Sequence, residues 1–179
     1  RSVKSRYRTE KPQTIGGRNL VGLTSIQCLR KLGAKQGYKV LILGASGGTG
    51  SAAVQIAKNM GCHVTATCSE KNIKLVKSLG ADVVINYRED KWWEKIAAKS
   101  LDGVYDCVGE KDVETHAQLV LADEGRFVTI ASMAVSKFKF ERKITGVFNV
   151  TNSSSRADLD ALKDMVEGGK LKPIIHKTF

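Results

Sequence analysis

The chain has 179 residues, 42% of them apolar, with 17 Gly, 2 Pro and 4 Cys, and its 29 Lys plus Arg against 18 Asp plus Glu leave a net charge of +11. That length holds one good core and little more, so a complete two-domain enzyme is not expected within it. No apolar run approaches the roughly 20 residues of a membrane-spanning helix, and the first residue is Arg rather than Met, which reads as a processed chain or a fragment of a soluble protein.

Residues 1–19 read as a basic arm or linker. Arg1, Lys4, Arg6, Arg8, Lys11 and Arg18 face one acid, Glu10. A solvated linker, the tail of an organellar targeting segment and a nucleic-acid arm all share that composition; Tyr7 is the one stacking surface, which argues against nucleic acid. A helix is predicted over 21–32. From residue 39 onward, short Val- and Ile-rich runs alternate with segments of helical period, the pattern of βαβ units in a parallel sheet. Strands are predicted over 40–43, 63–67, 83–85, 104–108 and 127–131, with a weaker one near 173–175. Helices are predicted over 49–60, 71–79, 91–99, 113–121 and 157–167. In the second of these, Ile73, Val76 and Leu79 share one face, Lys71, Lys74 and Lys77 another, and Gly80 stops the helix. Residues 132–150 follow no clear period. The expected architecture is a single α/β domain with a doubly wound parallel sheet, the Rossmann fold, over residues 20–179.

Cys28, Cys62, Cys68 and Cys107 lack metal-ligand spacing and read as buried free thiols, which favours a reducing compartment, the cytoplasm, unless the basic arm is a targeting remnant. His63 falls in a predicted strand and His116 in a predicted helix, so both read as structural. No catalytic acid, base or metal ligand is identified.

The most informative stretch is Gly44-Ala45-Ser46-Gly47-Gly48-Thr49-Gly50, between a buried strand and an amphipathic helix. Glycines there permit positive φ and let backbone N–H groups touch a phosphate, while the helix adds its positive dipole end. A pyrophosphate is expected against Gly47 to Thr49. No Gly-Lys-Ser/Thr follows, which excludes a P-loop. Two dinucleotide patterns overlap here: Ala45-x-Gly47-x-x-Gly50 approximates GxGxxG, and Gly44-x-x-x-Gly48-x-Gly50 fits a short-chain dehydrogenase. The second requires a Tyr-x-x-x-Lys pair on a later helix; the strings at Tyr7–Lys11 and Tyr87–Lys91 lie in the wrong places and are chance matches.

The second predicted strand ends in Thr67-Cys68-Ser69, without the carboxylate that accepts from the adenosine ribose in NAD sites. Ser69, Lys71 and Asn72 instead offer a hydroxyl, a cation and an amide to a 2′-phosphate, favouring NADP(H) over NAD(H). Glu70, 20 residues after Gly50, is the residue that opposes this preference.

Val21-Gly22-Leu23-Thr24, the run from Val40 to Gly50, the run from Ser78 to Tyr87, and Tyr105-Asp106-Cys107-Val108-Gly109 together resemble the zinc-independent quinone oxidoreductase branch of the medium-chain dehydrogenase/reductases, over about 20–179. The resemblance implies a two-domain reductase passing hydride from NADPH to a quinone or an α,β-unsaturated carbonyl. It implies that Thr24 lies near the nicotinamide and that Ala45, Ser46, Gly47, Gly48, Thr49 and Gly50 form the pyrophosphate loop. Ser69, Lys71 and Tyr87 would frame the 2′-phosphate. Cys107, Val108 and Gly109 would pass the nicotinamide ribose, and Ile130, Ala131 and Ser132 would border the ring, with Val147 and Phe148 on a nearby loop. The family's Gly-rich β-barrel is absent here, and residues 171–179 resemble the segment by which the family's chain leaves this domain. The chain alone is therefore expected to bind dinucleotide and turn over weakly. A non-catalytic dinucleotide-sensing or scaffold domain is the alternative, and the family's habit of pairing edge strands allows a homodimer.

Overall fold

The computed structural model describes residues 12–148, 156–172 and 174. Most of the basic arm (1–11) and most of the exit segment, including His176, lie outside the described residues. In chain order come α1 (Pro12–Leu32), β1 (Lys39–Leu43), α2 (Gly48–Asn59), β2 (His63–Cys68), a 3-10 turn (Glu70–Asn72), α3 (Ile73–Ser78), β3 (Val83–Asn86), α4 (Trp92–Lys95), β4 (Leu101–Asp106), α5 (Val113–Val120), β5 (Leu121–Thr129), a second 3-10 turn (Met133–Ser136), β6 (Thr145–Phe148) and α6 (Arg156–Glu167).

Six strands form one sheet in the order β3-β2-β1-β4-β5-β6, every neighbouring pair parallel. Parallel strands are covered on both faces, which is why β1 reads as the unbroken run Lys-Val-Leu-Ile-Leu. Its side chains alternate between two cores. Val40 and Ile42 pack with Ile26 and Leu29 of α1 and Ile56 of α2. Leu41 and Leu43 pack with Trp92 of α4 and Ala117 and Val120 of α5. The strand order reverses between β1 and β4, which opens a crevice at the carboxyl ends of those two strands.

Several boundaries differ from expectation, each for a physical reason. α1 starts at Pro12 rather than residue 21, so the second half of the expected arm is helical; proline is tolerated in a helix's first turn, where its missing N–H has no partner to lose. α4 is one turn long because Ile96 turns extended and the chain then pairs away from the helix, Lys99 N donating to Leu119 O (3.1 Å) and Ser100 N to Val120 O (2.9 Å). β4 starts earlier than predicted and stops at Asp106, whose carboxylate captures the amides of Val108 and Gly109. The predicted third helix is split at Asn72 into the 3-10 turn and α3. The sixth strand is Thr145–Phe148, in the stretch without clear period, and pairs with β5 from Arg126 to Thr129. Near 173–175 only residue 174 is described; it is exposed and outside any strand.

Candidate functional site

The glycine turn leaves β1 at Leu43 and enters α2. Gly44 has φ +75°, and a Cβ there would lie 2.5 Å from Val108 Cγ2. A Cβ on Gly50 would lie 2.3 Å from Gly44 O, so glycine is what lets α2 close on the turn. The turn hangs on Thr67 at the end of β2: Gly44 N donates to Thr67 Oγ1 (3.1 Å) and Ala45 N to Thr67 O (2.9 Å). Gly47 N donates to Gly44 O (3.0 Å), and Gly47 is the extended N-cap of α2, without a side-chain capping bond. The first turn of α2 carries no acid, so its positive dipole end stays uncompensated. Ser25 Oγ lies 2.7 Å from Val21 O and 3.0 Å from Thr49 O and so ties α1 to the start of α2. Thr24, one residue before it, is buried, with its hydroxyl donated to Leu20 O (2.8 Å).

At the ends of β2 and β3 the structure brings Ser69, Lys71, Asn72 and Tyr87 to one corner. Ser69 is buried, and Asn72 Nδ2 donates to its Oγ (3.3 Å). Tyr87 N donates to Cys68 O (3.2 Å), which sets the exposed Tyr87 beside β2. Lys71 is exposed and makes no salt bridge with a described residue; Glu70 is exposed beside it. Arg88, exposed and next to Tyr87, adds a cation that the motif reading passed over.

Across the crevice, Asp106 is fully buried at the end of β4. Its Oδ1 accepts from Val108 N (2.9 Å) and Gly109 N (3.0 Å), and its Oδ2 accepts from Thr129 Oγ1 (2.7 Å). Thr129 Oγ1 in turn accepts from Ala131 N (3.0 Å). Cys107 and Ile130 are half-buried, Val108, Gly109 and Ala131 exposed, and Ser132 intermediate. Val147 and Phe148, expected on a loop, are instead the last two residues of β6, because they pair with Val128 and Thr129 of β5. Every sequence-predicted site residue except Thr24, which lies on α1 with its hydroxyl turned back to Leu20 O, thus lies in the glycine turn, at the carboxyl ends of strands or in the turns that follow them. The sequence reading assigned no role to Thr67, Asp106, Thr129 or Ser25. A polar residue at or next to the carboxyl end of a buried strand was the available signal for the first three.

Burial pushes the thiols of Cys62, Cys68 and Cys107 upward, the last also by the nearby Asp106, so they rest protonated rather than as nucleophilic thiolates. His116 stacks on Trp93 with ring centroids 3.6 Å apart, in a packing role. No group of three or more His, Cys, Asp or Glu among the described residues could hold a metal ion. A cavity of about 500 Å³ lies at the opposite edge, lined by the strand starts Lys39, His63, Val83 and Leu101, and is remote from the glycine turn.

A glycine turn under an open helix N-terminus, at the strand-order reversal of a parallel sheet, defines a nucleotide-binding Rossmann domain. The family described as zinc-binding dehydrogenase matches residues 48–169. A mitochondrial NAD(P)H oxidoreductase of Homo sapiens is 32% identical over 192 aligned positions, covering 89% of this chain and 47% of that protein. Among solved structures, a quinone oxidoreductase from Coxiella burnetii superposes with TM-score 0.78 at 31% identity, covering 87% of this chain and 49% of the other. The CurK enoyl reductase superposes with TM-score 0.81 at 27% identity, covering 96% and 57%. The chain belongs to the zinc-binding dehydrogenase family, in the medium-chain dehydrogenase/reductase superfamily, and carries that superfamily's cofactor-binding part. It spans about half the length of the relatives it matches.

Proposed function

We propose that this chain is the NADP(H)-binding domain of an oxidoreductase that passes hydride from NADPH to a quinone or an α,β-unsaturated carbonyl. The observation that carries the reading is the character of Gly47 and Gly48. A Cβ would meet nothing closer than 3.4 Å at Gly47 or 3.5 Å at Gly48, and neither has positive φ. The fold does not require glycine at these two positions; close approach of a pyrophosphate to the backbone N–H groups does.

The chain's own residues bind and orient. Gly47, Gly48 and Thr49 take the pyrophosphate on the N-terminus of α2. Ser69, Lys71, Asn72 and Tyr87 take the adenosine 2′-phosphate, and Arg88 supplies further positive charge. Cys107 to Gly109 flank the nicotinamide ribose. Ile130, Ala131, Ser132 and, from α1, Thr24 border the ring. The bound dinucleotide supplies the hydride, and a second domain outside this chain supplies the rest of the substrate wall and excludes water. The four cysteines are free thiols, consistent with a reducing compartment such as the cytoplasm. The outer edge of β6, which no described strand covers, is the surface we assign to a homodimer.

Parallel calorimetric titrations with NADPH and NADH test the reading. Lys71→Ala is expected to weaken NADPH roughly tenfold, as loss of one charge-assisted phosphate contact does, and to leave NADH unchanged. Equal NADPH and NADH affinities in both proteins would refute the 2′-phosphate assignment. Dinucleotide binding with no gain in turnover when an upstream barrel domain is joined would favour a sensing domain over a reductase.

A further inference from the structure

The candidate site hangs on two separate hydroxyls. The glycine turn is held by Thr67 through Gly44 N at 3.1 Å. The turns after β4 and β5 are held by Asp106 and Thr129, which form one unit: Oδ1 gathers Val108 N and Gly109 N, Oδ2 takes the Thr129 hydroxyl, and that hydroxyl oxygen takes Ala131 N. Both side chains are fully buried. A buried carboxylate that accepts three hydrogen bonds, two of them from backbone N–H groups, fixes backbone position more firmly than neutral pairs do. It joins loops whose residues, 107–109 and 130–132, sit side by side because Ile130 N donates to Asp106 O (3.1 Å).

We propose that Asp106 and Thr129 are positioning residues that set the nicotinamide half of the site independently of the adenosine half. The inference rests on the dinucleotide reading above. Removing the Thr129 hydroxyl deprives Asp106 Oδ2 of its donor and Ala131 N of its acceptor at once. The turns after β4 and β5 then lose their common anchor, while the Thr67-anchored turn and the Ser69–Lys71 corner keep theirs.

The test is a pair of dissociation constants, for NADPH and for adenosine 2′,5′-bisphosphate, which carries only the adenosine half, on wild type, Thr129→Val and Thr129→Ser. Thr129→Val is expected to weaken NADPH roughly tenfold, as loss of a buried hydrogen-bonded group does, with the bisphosphate held within about twofold; Thr129→Ser restores NADPH. Equal loss on both ligands, or no loss on NADPH, overturns the proposal. Unchanged bisphosphate affinity also shows that the variant is folded. Should Thr129→Val not fold, or should wild type bind neither ligand, which would defeat the dinucleotide reading itself, amide hydrogen exchange in the wild-type chain decides. Val108, Gly109 and Ala131 are expected to share one protection factor, their exchange rates corrected for each amide's intrinsic rate. Unlike protection factors among the three overturn the clamp.

Discussion

Two glycines two residues apart should respond in opposite ways to the same methyl group. A Cβ on Gly50 meets backbone only: Gly44 O at 2.3 Å, Ala45 Cα at 2.8 Å and Gly44 C at 2.9 Å. None of these can rotate away, so Gly50→Ala must push α2 back from the turn by about 1 Å to reach ordinary contact. That is overpacking of the severe kind, at about 3 kcal/mol, or a fall in Tm of roughly 6–12 °C for a domain of this size. A Cβ on Gly48 meets only Val21 Cγ1 at 3.5 Å, and Gly48 already has helical backbone as the first residue of α2. Gly48→Ala therefore gains helix propensity, at most about 1 kcal/mol, and raises Tm by up to about 4 °C. The same methyl stands where the pyrophosphate is proposed to approach, so the more stable variant should bind NADPH at least tenfold more weakly, about 1.4 kcal/mol. Thermal unfolding and calorimetric titration of both variants read the two effects separately. A Gly48→Ala protein that is destabilised, or that binds NADPH as wild type does, refutes the argument that its glycine serves a ligand. A neutral Gly50→Ala refutes the packing geometry.

Other outcomes follow from single contacts. Burial alone would raise the Asp82 carboxyl, but hydrogen bonds from Lys58 Nζ and Val64 N, with the Lys58 charge, hold it below its usual value. A depressed folded-state pKa stabilises above the unfolded value and ceases to as pH falls through the folded one, so the Tm gap between wild type and Asp82→Asn should be present at neutral pH and close well below about pH 4; a gap independent of pH contradicts this. Trp92 is 2% exposed beneath α5, and Trp92→Ala should cost roughly 3–5 kcal/mol, read as a lowered urea midpoint with unchanged slope. Sedimentation equilibrium should find a dimer if β6 pairs with its copy, and a monomer at every accessible concentration would remove that assignment.

Whatever depends on near neighbours is legible in the order of residues alone. The apolar runs of β1, β2 and β3, the helical faces of α2, α5 and α6, and the glycine spacing between β1 and α2 are local patterns, and they were legible because strand, turn and helix each impose their own period and backbone demand. Family membership followed from those same runs taken together. Tertiary structure decided the rest. Nothing in Thr145–Phe148 reads strongly as a strand; it becomes one by completing the ladder of β5, with Gly146 left bare where a Cβ would meet Phe140 at 2.6 Å. Ala97 and Ala98 favour helix, yet the chain abandons α4 because the backbone of residues 99 and 100 finds acceptors at the end of α5. Asp106 and Thr129 look like two unrelated polar residues 23 positions apart until parallel pairing sets β4 beside β5 and the carboxylate meets the hydroxyl at 2.7 Å. Spacing along the chain governs local conformation, but a buried polar group is satisfied by whichever partner the fold delivers, and that partner is known only once the sheet is assembled.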